Sequence, residues 1–365
     1  MTVINLQNQT PHTERKMFFD EGVDIQRYDI VKYDWAERWT DKGLGNFWRP
    51  QEVDLTKDKR DYAELDFAQK FIFDSNLKRQ IVLDTVQGRA PALAFLPIVS
   101  LPEVEAAILK WTFDESIHSR SYTHILRNVH DNPSEIFDNI LSIKEIADLA
   151  KDISVHYDDL IAFNKKEVDN PTWNYNHKKA LWRALFAVNA LEGIRFYVSF
   201  ACSWAFAQVL GKMEGNAKVI KLICRDENEH LKFTQMVLQT LPKEDPDFAK
   251  IKVELAEEMN DLFMSVVEQE KGWAKYLFQH GDMLGLDEKV CCDFVDWLAV
   301  KRMGAIGMSY SGNSPKDHPL PWTNSWISGN SRQVAPQEAE IESYIIGVTE
   351  GGVDTEGLKN VRVGL

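Results

Sequence analysis

Cysteine is scarce in this chain: Cys202, Cys224, Cys291 and Cys292 are the four in 365 residues, and none forms a CxxC pair. That excludes a disulfide framework and suits a reducing compartment. Basic charge is also short. Forty-two Lys and Arg face 56 Asp and Glu, a net charge of −14, which argues against a nucleic-acid backbone or an anionic membrane as the main partner. Long apolar runs are missing as well. The longest uncharged stretch, residues 196–211, has 16 residues between Arg195 and Lys212, which is short for a membrane span and reads as a helix buried on every side. The start, MTVINLQNQTPHTERK, has no basic stretch followed by an apolar one, so no secretory signal is expected and the chain is expected to be soluble and cytoplasmic.

What is present is helix. The composition, 44% hydrophobic, is ample for one large core or two smaller ones. Residues 1–60 are mixed and Trp-containing, with only short helical stretches, and are expected to pack on the helices of the main domain. Across 61–310 apolar residues recur at three- and four-residue steps with little strand-like alternation, which predicts a helical domain. Pro91, Pro97, Pro102, Pro133, Pro171 and Pro242 are predicted helix boundaries. Residues 311–345 begin in a stretch rich in Ser, Asn and Pro and read as irregular. Residues 346–365 contain GlyGly and scattered charge with little to bury, and are expected to form a mobile tail. No motif can be placed between Asn132 and Lys179.

Two helical segments share one template. Ile108, Trp111, Glu115, His118, Tyr122 and Ile125 step by 3, 4, 3, 4, 3, and so do Ile220, Ile223, Glu227, His230, Thr234 and Val237. That spacing keeps each set on one stripe of a helix, mostly apolar, with Glu-x-x-His at its middle. A buried carboxylate is costly unless something pairs with it, by several kcal/mol after relaxation. A divalent cation resolves the problem for both residue types, and side chains at i and i+3 point the same way and reach one ion.

One Glu-x-x-His is weak evidence, since a surface or locally bonded pair looks the same. Two on matching stripes, each preceded by another acid in an apolar helical context, are not easily dismissed. Asp84 shares a face with Phe73 and Leu77, and Glu192 shares one with Leu181, Leu185 and Val188. The intervals, 31 residues from Asp84 to Glu115 and 35 from Glu192 to Glu227, each fit a helix, a turn and a return helix. The 77 residues from Glu115 to Glu192 leave room for a long crossover. Two acids and two Glu-x-x-His pairs from four inward helices are the ligand set of ferritin-like dinuclear bundles, with Asp in place of one Glu. Four carboxylates neutralise two divalent ions and leave both histidines neutral.

Tyr122 stands where the second stripe has Thr234. A core tyrosine with a satisfied hydroxyl would occupy that place, and so would a one-electron donor beside an oxidising metal pair. Phe196 and Phe200, following Glu192, would give such a radical a dry wall. Spacing does not separate the two readings.

The segments FWRP (47–50), LDTVQGRAP (83–91), WTFDESIHSRSYTHILRN (111–128), NALEGIRFYVSFACS (189–203), ICRDENEHL (223–231) and VAPQEAEIESYIIG (334–347) resemble the class I ribonucleotide reductase small subunit. The likeness runs from about Met17 to Tyr344 and is nearest the class Ia form of enterobacteria and their large phages. It implies an all-α, ferritin-like bundle with a dinuclear metal site in the core and a flexible C-terminal tail. It further implies two iron ions per chain, one on Asp84, Glu115 and His118, the other on Glu192, Glu227 and His230, with Glu115 and Glu227 bridging. The hard, oxygen-rich set suits manganese as well.

By the same resemblance Tyr122 carries a stable radical, and His118, Asp226 and Trp48 form a hydrogen-bonded route to the surface. Tyr344 at the base of the tail relays the oxidation to a large subunit, with Glu338 as a proton acceptor. A homodimer is implied, and ribonucleotide itself is expected to bind the large subunit, because the cysteines here match no reducing pair.

Three other readings share parts of this pattern. A di-iron oxygenase or desaturase explains both motifs but not Tyr122, Trp48 and the tail together. An iron store predicts a chain of about half this length. A bundle with fortuitous polar positions predicts no metal.

Overall fold

Helix starts and stops follow from local chemistry along the chain. A computed structural model of the protein describes residues 4–166 and 174–328. After α1 (Asp34–Gly45) and α2 (Thr56–Ala63), helix α3 (Phe67–Gln87) opens on a reciprocal capping box. Asp66 accepts from the Gln69 backbone N–H at 2.8 Å while the Gln69 side chain accepts from the Asp66 N–H at 3.2 Å. Pro91 and Pro102 occupy the first turns of α4 (Ala90–Phe95) and α5 (Pro102–Val129), where the missing N–H would have had no partner. Pro97 lies in a 3-10 turn after α4, and Pro133 directly precedes α6 (Ser134–Phe137). These four mark boundaries as expected, and Pro171 lies outside the described residues.

The chain continues through α7 (Lys144–Lys166), α8 (Tyr175–Ala190), α9 (Tyr197–Gln208), α10 (Glu214–Glu244), α11 (Pro246–Glu254), α12 (Ala256–Leu277), α13 (Glu288–Ala305) and α14 (Asn324–Ile327). Pro242 corrects the boundary expected there, because it lies inside α10. So near the end of a helix, proline removes one hydrogen bond and little else, and the Asp245 N–H still reaches Leu241 O at 3.0 Å. The stretch in which no motif was found contains α7, whose buried Ile146, Leu149, Ile153, Tyr157 and Leu160 form an ordinary amphipathic stripe. Among the described residues there is no β-strand, only two isolated bridges.

Residues 175–208 make the one described stretch long and apolar enough to cross a membrane, and it is wholly buried inside the protein. It is not a regular helix. Between α8 and α9 the backbone widens into a π-helical turn, Leu191–Arg195, which contains Glu192. The even spacing from Leu181 to Glu192 therefore meets a wider turn at its last position, a local irregularity often found at functional sites.

One core cluster runs through the helices. Both six-residue stripes are buried along their whole length, with no member more than 1% exposed. Helix α10 is seated by α2: Asp58 accepts from the Gly215 and Asn216 N–H groups at 3.0 and 2.6 Å, and Asp61 from Met213 N–H at 2.8 Å. The approach is so close that a Cβ on Gly215 would stand 2.5 Å from Asp54 O. These contacts satisfy donors that α10 cannot satisfy itself and fix the start of the helix that carries Glu227 and His230.

Candidate metal centre

Four helical segments bring six side chains to one place in the core. Asp84 comes from α3, Glu115 and His118 from α5, Glu192 from the π-helical turn, and Glu227 and His230 from α10. All six are 0% exposed. Their ligand atoms form two groups, each with its atoms within 4.8 Å of one another: Asp84, Glu115, His118 and Glu227, then Glu115, Glu192, Glu227 and His230. Glu115 and Glu227 belong to both. His118 Nδ1 lies 3.4 Å from Glu115 Oε2, 3.1 Å from Glu227 Oε1 and 3.9 Å from Asp84 Oδ2. His230 Nδ1 lies 3.2 Å from Glu115 Oε1 and 3.0 Å from Glu227 Oε2.

Protein groups alone leave much of this cluster unsatisfied. Both oxygens of Asp84, one each of Glu115, Glu192 and Glu227, and His118 Nδ1 are buried without a hydrogen bond. Burial and then the neighbouring carboxylates push Asp84 and Glu192 well above the usual carboxylate range. Burial works against charging His118 and His230, yet the surrounding acids prevail and hold both well above an ordinary histidine. Orphaned oxygens and histidine Nδ1 atoms that converge in a dry core fit two divalent cations, which would satisfy them and remove the repulsion among four acids.

The histidines turn their other nitrogen outward. His118 Nε2 lies 3.3 Å from Asp226 Oδ2, which also accepts the Trp48 Nε1–H at 2.7 Å. His230 Nε2 lies 3.3 Å from Asp114 Oδ2. Asp114 was missed in the sequence, although both segments read Asp-Glu-x-x-His once aligned. Also missed were Trp111, whose Nε1–H donates to Glu115 at 3.0 Å, and Gln87, which donates to Glu192 and accepts the Tyr157 hydroxyl at 2.7 Å. Trp111 sat on the first stripe as a core residue; Gln87 and Tyr157 gave no signal.

Tyr122 is fully buried and its hydroxyl has no well-formed hydrogen bond. Burial and the Asp84 carboxylate push its ionisation well above the ordinary phenol. Tyr197 is tied elsewhere, accepting from Arg302 at 2.7 Å and donating to Asn228 at 3.0 Å. Phe196 and Phe200 stack on each other with ring centroids 5.3 Å apart. Glu338 and Tyr344 lie outside the described residues.

The family described as ribonucleotide reductase, small chain, matches residues 27–319. The chain belongs to the ribonucleotide reductase small chain family. It is 47% identical to the ribonucleoside-diphosphate reductase subunit beta of Buchnera aphidicola subsp. Schizaphis graminum, over 95% of this chain and 96% of that one. Its fold is similar to the ribonucleotide reductase R2 subunit from Clostridium botulinum, with a TM-score of 0.78 and 26% identity over 90% of this chain and 98% of that one. Dimanganese(II)-NrdF of Streptococcus sanguinis shares the fold at a TM-score of 0.67 and 22% identity, over 84% of this chain and 99% of that one.

The bundle is therefore the ferritin-like R2 fold, with a dinuclear metal site as the family has it. As a member of this family the chain is one part of a two-subunit oxidoreductase and pairs with a large subunit. Family membership sets aside the oxygenase and iron-store readings.

Proposed function

We propose that Asp84, Glu115, His118, Glu192, Glu227 and His230 hold two iron ions, with Glu115 and Glu227 shared between them. The observation that carries this reading is that these two glutamates belong to both groups of converging ligand atoms. When bound, the metal pair supplies the oxidising power, drawn from oxygen, that a buried phenol requires. Tyr122 is the phenol. It enters as a neutral hydroxyl, because burial and Asp84 oppose its ionisation, and it would become the radical by giving one electron to the oxidised metal pair and its proton to a base on the Asp84 side of the site. The dry surroundings then keep water and reductants from it.

Trp48, Asp226 and His118 form the outward route, supported by their continuous hydrogen bonding. Tyr344, with Glu338 as proton acceptor, passes the oxidation to the large subunit, which residues 346–365 bind. A homodimer has a suitable apolar face: Phe47 stacks on Phe113 at 6.2 Å beside Leu44 and Leu109, all about half exposed. The absence of any disulfide among the four cysteines fits the cytoplasm.

The test is to add ferrous ion and oxygen to apoprotein and record metal stoichiometry with the radical spectrum. Two irons per chain and a tyrosyl signal are expected. A signal that appears only after loading with manganese would assign that metal instead, the state named for the Streptococcus sanguinis protein.

A further inference from the structure

Each Asp-Glu-x-x-His segment braces the histidine of the other. A histidine that gives its Nδ1 lone pair to a cation carries its proton on Nε2, and that N–H needs an acceptor. For His118 on α5 the acceptor is Asp226 on α10, and for His230 on α10 it is Asp114 on α5, both at 3.3 Å. What lies beyond the two acids differs. Asp226 takes the Trp48 N–H at 2.7 Å and two Arg225 N–H contacts at 3.2 Å. Asp114 is gripped through both oxygens by Lys110 Nζ, at 2.5 and 2.6 Å, one turn earlier on its own helix.

The Lys110–Asp114 pair is buried, 9% and 6% exposed. Helix α1 passes over it with a glycine at the contact: a Cβ on Gly43 would meet Lys110 Cε and Nζ at 3.0 Å. Removing either partner would strand a charge in low dielectric, so the pair is held in one geometry. Among the described residues, no aromatic ring donates to Asp114.

We propose that Asp114, fixed by Lys110, is the positioning residue for the second metal position. It selects the Nε2–H form of His230 and aims Nδ1 at the ion shared with Glu192 and Glu227. It offers no electron route, because its remaining partner is an ammonium rather than an indole. The two outlets of a nearly symmetric centre therefore do different work: the Asp226 side conducts outward and the Asp114 side only holds. This inference rests on the dinuclear metal reading.

The test is an anaerobic titration of the full-length apoprotein with Mn(II), read by electron paramagnetic resonance as free, isolated and coupled ion. The wild type is expected to take two ions per chain, and its failure to do so would overturn the metal reading itself. Asp114→Ala is expected to bind one ion as the wild type does and the second 10–100-fold more weakly, leaving an isolated-ion spectrum at stoichiometric metal. Asp114→Asn, whose amide oxygen still accepts from Nε2–H, is expected to recover most of the second affinity. Wild-type binding of both ions by Asp114→Ala, an equal loss at both positions, or no rescue by Asn would overturn the proposal. Should Asp114→Ala not fold, Lys110→Met decides: it frees Asp114 to rotate, and a second ion bound as tightly as in the wild type would sink the idea.

Discussion

At the scale of single residues, Tyr122 and Thr234 hold equivalent places on two buried stripes, and only one of them can be oxidised. Tyr122→Phe removes a hydroxyl that makes no well-formed hydrogen bond, so the core loses almost nothing. The variant is expected to bind two metal ions per chain and consume oxygen but to give no persistent tyrosyl signal. The same long-lived signal in this variant would move the radical to another tyrosine. Trp48→Phe keeps an aromatic filler and loses the N–H that Asp226 accepts. Metal loading and the Tyr122 signal should be normal while nucleotide reduction falls to background, and near-normal turnover would return Trp48 to a packing role. The metal ligands themselves behave differently. Glu115→Ala or Glu227→Ala removes a carboxylate common to both groups, and loss of at least one ion is expected by metal analysis.

At the scale of elements, the centre depends on how α10 and α8 are seated. Asp58→Ala leaves the Gly215 and Asn216 N–H groups buried without acceptors, which should cost about 1–2 kcal/mol in thermal or denaturant unfolding. The start of α8 carries a pH signature. His177 is fully buried between Phe19 and Phe163, bonds to Asn164 at 2.7 Å, and burial pushes it down to about 4. The unfolded chain therefore takes up this proton first as pH falls. Stability should decline from about pH 6.5 to about pH 4 on this account and recover as pH rises through the same window. His177→Gln should flatten that part of the unfolding profile, whereas an unchanged slope would remove His177 from it.

At the scale of the whole molecule, the proposed roles of the tail and of the core separate cleanly. Deleting residues 346–365 should abolish binding to the large subunit, measured by sedimentation or calorimetry, and spare metal and radical. Tyr344→Phe should spare metal, radical and binding yet stop turnover, because the hydroxyl needed for coupled electron and proton loss is gone. Tight binding by the truncated protein would end the proposed role for the tail.

The helical class, both stripes and the six converging side chains were legible in the sequence, because helical periodicity is local and a buried acid or histidine contradicts its apolar neighbours. Trp48 and Asp226 were legible only through resemblance, since a Trp before an arginine and proline or an Asp before a glutamate has no periodic signature. Asp114 was within reach of the doubled Asp-Glu-x-x-His pattern, but which acid serves which histidine is a contact between α5 and α10, more than a hundred residues apart. The π-helical turn at Glu192, the continuation of α10 through Pro242, and the Gln87–Tyr157 link were likewise decided only in the folded chain. Periodicity states which face of a helix must be buried. Which side chains then meet across the buried space depends on how helices distant in sequence pack together, and that was settled by tertiary structure alone.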